Sequence, residues 1–186
     1  MEEKIANPSP LGLLGFGMTT VLLNLHNAHI IELSVVIASM GIALGGLAQI
    51  IAGIMEFKKG NTFGATAFTA FGLFWWSLVI IWANPAGFMA AADAMSVGFY
   101  LLLWGIFTTF MFVGTLKHNR ATQVVFFSLA ILFFMLAIGE FTGITAVTIT
   151  AGFVGLVCGL SAVYNSLAQI VNGEFGRTVL PLGDKK

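Results

Sequence analysis

The chain is 186 residues long, 58% hydrophobic and only 9% charged, whereas an ordinary soluble domain carries about 25% charged residues. A water-soluble surface cannot be built from that composition, and eight basic against eight acidic side chains leave no basic field to hold nucleic acid. Cys158 is the only cysteine, which excludes an internal disulfide and a multi-cysteine metal centre.

Taken in chain order, Met1-Glu2-Glu3-Lys4 lacks the positive n-region of a secretory signal, so residue 1 is read as the mature start. A helix needs roughly 20 apolar residues to cross a bilayer. Spans are expected at 11–28, 31–55, 62–83, 95–116, 121–141 and 144–171. The first is short and ends in the polar cluster Asn24, His26 and Asn27; the third is interrupted by Thr66, Thr69 and Ser77. Both are expected among the other helices, because lipid leaves such groups unpaired. The apolar runs are too long for strands and show no ten-residue alternation. The expected fold is an all-α membrane protein, one six-helix domain over 1–186 with short tails at 1–9 and 174–186.

The basic residues orient the spans. Lys4 precedes span one; Lys58 and Lys59 fall between spans two and three; Lys117 and Arg120 fall between four and five. Arg177, Lys185 and Lys186 follow span six. The other side holds Glu32, Asp93 and Glu140 and no basic residue. Both termini are therefore expected in the cytoplasm.

Span one is the most informative segment. In Asn7-Pro8-Ser9-Pro10-Leu11-Gly12-Leu13, Ser9 reads as an N-cap and Pro10 as the first helical residue. The positive end of that helix would face the cytoplasm, open to an anion. Four-residue steps put Gly12, Phe16, Thr20 and Asn24 on one stripe, a poor lipid face that suits a narrow path. Gly41, Gly45, Gly46 and Gly53 in span two, and Gly155 and Gly159 in span six, offer faces for close helix contact. An echo links Leu47-Ala48-Gln49-Ile50-Ile51-Ala52-Gly53 to Leu167-Ala168-Gln169-Ile170-Val171-Asn172-Gly173. If it reflects a pseudo-symmetry axis, Gln49 and Gln169 are equivalent; convergence on a packing pattern explains it about as well.

No catalytic constellation is present. Gly159-Leu160-Ser161-Ala162-Val163 lacks the last Gly of a nucleophile elbow. His26, His29 and Glu32 have metal-ligand spacing but read more simply as a wet helix terminus, and no cofactor fingerprint occurs. The expectation is a non-enzyme without metal or cofactor. Glu140 either lines an outer mouth or sits at a wet helix end, the second being the simpler reading; it and His26 are the candidate proton-linked groups. Glu56 beside Lys58 and Lys59 reads as a cytoplasmic interfacial ion pair.

Asn7-Pro8-Ser9-Pro10-Leu11-Gly12-Leu13 resembles the Asn-Pro-Ala-Pro-Leu-Gly-Leu signature of the acetate uptake transporter family, the acetate–succinate permeases. The resemblance continues through Gly15-Phe16-Gly17-Met18-Thr19-Thr20, Leu22-Leu23-Asn24-Leu25-His26-Asn27 and Lys58-Lys59-Gly60-Asn61-Thr62-Phe63-Gly64. It resumes at Phe110-Met111-Phe112 and Gly114-Thr115-Leu116-Lys117, and closes with Phe175-Gly176-Arg177-Thr178-Val179-Leu180-Pro181. Ser9 stands where the family usually has Ala. The resemblance implies a six-helix protomer, a hexamer, a pathway through each subunit, and acetate or related short carboxylates, with succinate in some members, as substrates. It implies a hydrophobic constriction at Phe16, Phe71 and Leu129, with Phe71 standing where the family has Tyr. By itself a Phe71 or a Leu129 reads as core or lipid-facing.

The expected function is transport of acetate and related carboxylates across the cell membrane by a multi-pass protein, probed by Asn7, Pro8, Ser9, Pro10, Gly12, Thr20, Asn24 and Gln49 along the pathway and assisted by protons. The alternatives are a passive acetate-selective anion channel and, less favoured, a neutral-solute channel.

Overall fold

The computed structural model describes residues 5–84, 87 and 90–184; Lys4, Lys185 and Lys186, counted in the charge asymmetry, lie outside them. Six helices cover the expected segments: α1 (Ser9–Asn27), then α2 (Val35–Lys58), α3 (Thr62–Ala83), α4 (Ala94–Thr115), α5 (Arg120–Thr142) and α6 (Thr145–Phe175). α2 to α6 are each long and apolar enough to cross a membrane. α1 is the polar one, and it is inside: Thr19, Thr20 and Asn24 are all buried. No strand occurs among the described residues. The chain is an all-helical membrane protein.

Two local expectations are corrected. Ser9 is not the N-cap of α1: Pro8 holds that place, so Ser9 is the first helical residue and Pro10 the second. The Ser9 hydroxyl is engaged elsewhere, donating to Glu56 Oε1 at 2.6 Å, while Asn7 Oδ1 accepts from the Ser9 N–H at 3.3 Å. The second correction concerns α2, which winds as a π-helix over Gly41–Ala48. Two neighbours press on that stretch. Gly15 of α1 lies against the Leu44 carbonyl, where a Cβ would overlap. Trp76 of α3 donates its indole N–H to the Ile42 carbonyl at 3.0 Å. π-turns of this kind accommodate such side-chain intrusions at little cost in backbone pairing.

Helix ends carry ordinary local signals. Asn61, Asp93 and Asn119 accept from the N–H groups of Gly64, Ser96 and Thr122, and α3, α5 and α6 stop at left-handed Asn84, Gly143 and Gly176. Short turns make successive helices antiparallel. Lys58, Lys59, Lys117, Arg120 and Arg177 therefore gather at one end, and Glu32, Asp93 and Glu140 at the other.

Around the bundle, α1 packs most extensively on α6, α6 on α5, α5 on α4, and α2 on α3. The α1–α6 contact is made by small residues: a Cβ on Gly17 would meet the Gly159 carbonyl at 2.8 Å, and one on Gly155 would overlap the Asn24 amide. The centre is aromatic. Phe71 of α3 has ring neighbours Phe16, Trp104, Phe107, Phe126 and Phe133 at centroid distances of 6.0, 5.8, 5.6, 6.1 and 6.5 Å.

Candidate functional site: a vestibule closed by aromatic rings

A cavity of about 210 Å³ opens at the basic end of the bundle. Its mouth is polar, formed by Ser9, Asn61, His118, Asn119, Thr122 and Gln169; its depth is apolar, formed by Leu13, Phe68, Val125 and Phe126. The wall ends at Phe16, Phe71 and Leu129, with Gln49 beside them. Phe16 and Phe71 meet ring to ring at 6.0 Å, and Phe74, Trp75 and Phe133 behind them are all buried. Rings packed in this way offer a carboxylate no hydrogen-bond partner, and stripping its water to pass such a surface costs several kcal/mol, roughly, even after relaxation.

The mouth is held by a chain of head-to-tail hydrogen bonds. Lys59 Nζ donates to Asn7 Oδ1 (3.3 Å), Asn7 Nδ2 to Gln169 Oε1 (3.0 Å), and Gln169 Nε2 to Asn165 Oδ1 (3.0 Å). Asn165 Nδ2 then donates to Thr122 Oγ1 (3.1 Å), whose hydroxyl donates to Asn119 Oδ1 (2.9 Å). The chain ties α1, α2, α5 and α6 into one collar. Every link is a side-chain amide, hydroxyl or ammonium, so the collar is polar while adding only one charge.

Glu56 anchors the same end. Its carboxylate is fully buried, accepting from Ser9 Oγ and from Asn61 Nδ2 at 2.8 Å, with Lys59 Nζ at 3.8 Å. The expected ion pair therefore exists with Lys59, but the carboxylate is buried and not interfacial. A buried carboxylate needs such partners to stay charged. It joins the start of α1 to the α2–α3 turn.

The expected site residues separate into groups. Phe16, Phe71, Leu129, Gln49 and Ser9 all line the cavity. Asn7 stands one bond behind the wall, through Gln169. Pro8, Pro10 and Gly12 shape the first turn of α1, with Gly12 under the Phe68 ring. Thr20 and Asn24 are not brought to the cavity: Asn24 turns onto Gly155, donating to the Thr20 carbonyl at 2.9 Å and accepting from Asn27 Nδ2 at 3.1 Å. Thr20 Oγ1 is buried without a partner, as are Gln49 Oε1, Thr69 Oγ1 and Trp75 Nε1. His26 and Glu140 lie at the opposite end, with His26 Nδ1 3.2 Å from the Ile31 carbonyl.

Sequence reading missed His118, Asn119 and Thr122. They sit in a short polar turn that reads as an ordinary helix start, and only tertiary structure turns them inward. The His118 ring rests on Phe63 at 4.6 Å, and burial pushes the imidazole below its ordinary range. Gln169, which the echo pairs with Gln49, lines the same cavity as Gln49.

Known proteins share this architecture. The chain is similar to the "Succinate-acetate/proton symporter SatP" of Escherichia coli strain K12, 56% identical over 184 residues and 98% of each chain. It is 35% identical to the "Acetate permease A" of Emericella nidulans, over 97% of this chain and 66% of that one. A solved structure described as the bacterial acetate channel SatP superposes with a TM-score of 0.95, covering 97% of this chain and 100% of that one at 56% identity. The GPR1/FUN34/yaaH family model matches residues 1–182. With 182 of its 186 residues matched by that model, the chain belongs to the GPR1/FUN34/yaaH family.

Proposed function

We propose that the protein transports acetate and related short carboxylates across the cell membrane, through a pathway in each protomer that crosses the plug of Phe16, Phe71 and Leu129. The observation that carries this reading is the vestibule: a polar mouth narrowing to a dry aromatic end, in a chain 56% identical to a succinate-acetate/proton symporter. It is not an enzyme. α1 counts as a sixth span in this reading, both termini are cytoplasmic by the positive-inside rule, and the vestibule faces inward. The protomers assemble as a hexamer.

Transport is proton-assisted. No Lys or Arg interrupts the interior of any helix, so a carboxylate at the plug meets no fixed positive charge. Crossing as the neutral acid removes most of the dehydration cost. The second reading is a passive anion channel, favoured by the unpaired polar atom of Gln49, which lines the cavity beside Phe16. Acetate flux into proteoliposomes, with pH gradient and membrane potential set independently, separates the two. Flux that follows the pH gradient supports proton assistance; flux that follows potential alone supports the channel; no flux defeats both.

A further inference from the structure

Among the described residues that line the vestibule, His118 is the sole titratable one. Four of its neutral neighbours on the wall have a donor committed, the amides of Asn61 and Gln169 each keeping a second N–H. Ser9 and Asn61 donate to Glu56, Thr122 to Asn119, and Gln169 to Asn165. The start of α5 is also closed to a ligand: the Arg120 and Ala121 N–H groups donate to the carbonyls of Gly183 and Leu182, both at 3.0 Å, and those of Thr122 and Gln123 donate to Asn119. The His118 ring, by contrast, makes no hydrogen bond among the described residues. The residue is held in place without one, by Phe63 against the ring, by its backbone N–H donating to the Thr115 carbonyl at 2.7 Å, and by its backbone carbonyl accepting from Gln123 Nε2 at 3.0 Å.

We propose that His118 is a pH-dependent carboxylate contact at the mouth of the vestibule, which releases the substrate when neutral and retains it when protonated. An imidazolium donates from both ring nitrogens and carries a charge opposite to the carboxylate, whereas neutral imidazole offers one donor and no charge. The charged groups at this end leave that role open. Glu56 and Lys59 of α2 are paired with each other, Arg120 of α5 donates to Gln123 Oε1 at 2.9 Å, Lys117 beside His118 is exposed, and Asp184 lies in the exposed tail. α3 and α6 present the neutral Asn61 and Gln169. Partial burial favours the neutral imidazole, and acid delivered faster than the cell consumes it would protonate His118 and slow its own release. Entry becomes self-limiting.

This inference rests on the carboxylate-transport reading, and the test keeps the two apart. The imidazole of His118 is titrated by NMR in nanodisc-embedded, histidine-labelled protein, alone, with acetate and with acetamide as the uncharged isostere; His118→Asn assigns the signal. Acetate affinity is measured in parallel at about pH 5.5 and about pH 7.5, the range over which a histidine changes charge, with equal pH on both sides. Acetate, and not acetamide, is expected to raise the His118 pKa by about one pH unit, and acetate to bind about tenfold tighter at the lower pH, the two being reciprocal readings of one coupling. His118→Asn is expected to abolish the pH ratio, and His118→Lys to bind tightly at both values. A His118 titration that ignores acetate, or a pH ratio that survives in His118→Asn, overturns the inference. Wild-type protein that carries no acetate defeats the transport reading instead, while the titration still reports whether His118 meets a carboxylate.

Discussion

In the transport reading Phe16 and Phe71 close the vestibule by volume alone, since neither side chain carries a polar atom. Phe16→Ala removes one ring from the pair at 6.0 Å and is expected to raise uptake of longer carboxylates relative to acetate by about tenfold, the scale on which a hydrophobic pocket discriminates size. An unchanged size profile in well-expressed protein would reduce Phe16 to packing. Phe71→Tyr is the finer probe. The ring lines the cavity yet touches five aromatic neighbours, so a new hydroxyl either reaches the cavity or is buried among rings. The cavity-facing outcome is expected, with melting temperature unchanged; a loss of about 1–3 kcal/mol, the cost of an unpaired buried hydroxyl, would mean the other. Glu56 differs in kind. Glu56→Ala strands Ser9, Asn61 and Lys59 and is expected to cost about 3 kcal/mol, measured as a lowered unfolding midpoint, whereas Glu56→Gln keeps the shape and one acceptor and is expected to cost less. Equal losses would show that volume, not the paired carboxylate, holds that corner.

At the scale of the element, α1 sits where it does because Gly155 and Gly159 of α6 let Asn24 and the α1 backbone approach closely. Gly155→Ala would place a methyl group on the Asn24 amide and is expected to destabilise by about 1–3 kcal/mol, the usual cost of overpacking; near-wild-type stability would mean that α1 can slide. This interface also marks what could be read from residues in order. The helices were legible because apolar runs of span length have one solution in lipid, and the small-residue faces announced close packing. Their partners were not legible: the Gly, Phe, Thr, Asn stripe of α1 looked like one path, but its lower half meets the vestibule and its upper half turns into α6. The π-helical stretch of α2 left no trace in sequence either, because its causes, the Gly15 backbone and the Trp76 indole, arrive from other helices. Glu56 looked like surface charge for the same reason. Its burial depends on Ser9 and Asn61, 47 and 5 residues away.

For the whole molecule, the charge asymmetry makes a topological prediction: cysteines placed at positions 59 and 118 should resist membrane-impermeant thiol reagents in intact cells, and ready labelling of both would invert the orientation. Native mass spectrometry in mild detergent should give hexamers; monomers alone across several detergents would count against that assembly. The polarity of the molecule bears most directly on energy coupling. Its cavity lies at the basic end, while His26 and Glu140, the candidate proton carriers read from sequence, lie at the acidic end beyond the plug. On uptake a carboxylate meets that end before the plug, where water supplies protons as readily as a side chain does. In the proton-assisted reading the proton is expected to be the substrate's own. Acetic acid, with a pKa of roughly 4.8, titrates near a model carboxyl side chain, so mild external acidity raises the neutral fraction that can enter the plug without full dehydration of a charge. Uptake into proteoliposomes is therefore expected to rise as external pH falls, and His26→Ala and Glu140→Gln are each expected to retain that rise. If either substitution flattens the pH profile while the protein stays folded, a protein-borne proton relay at the acidic end must replace the proton carried by the acid itself.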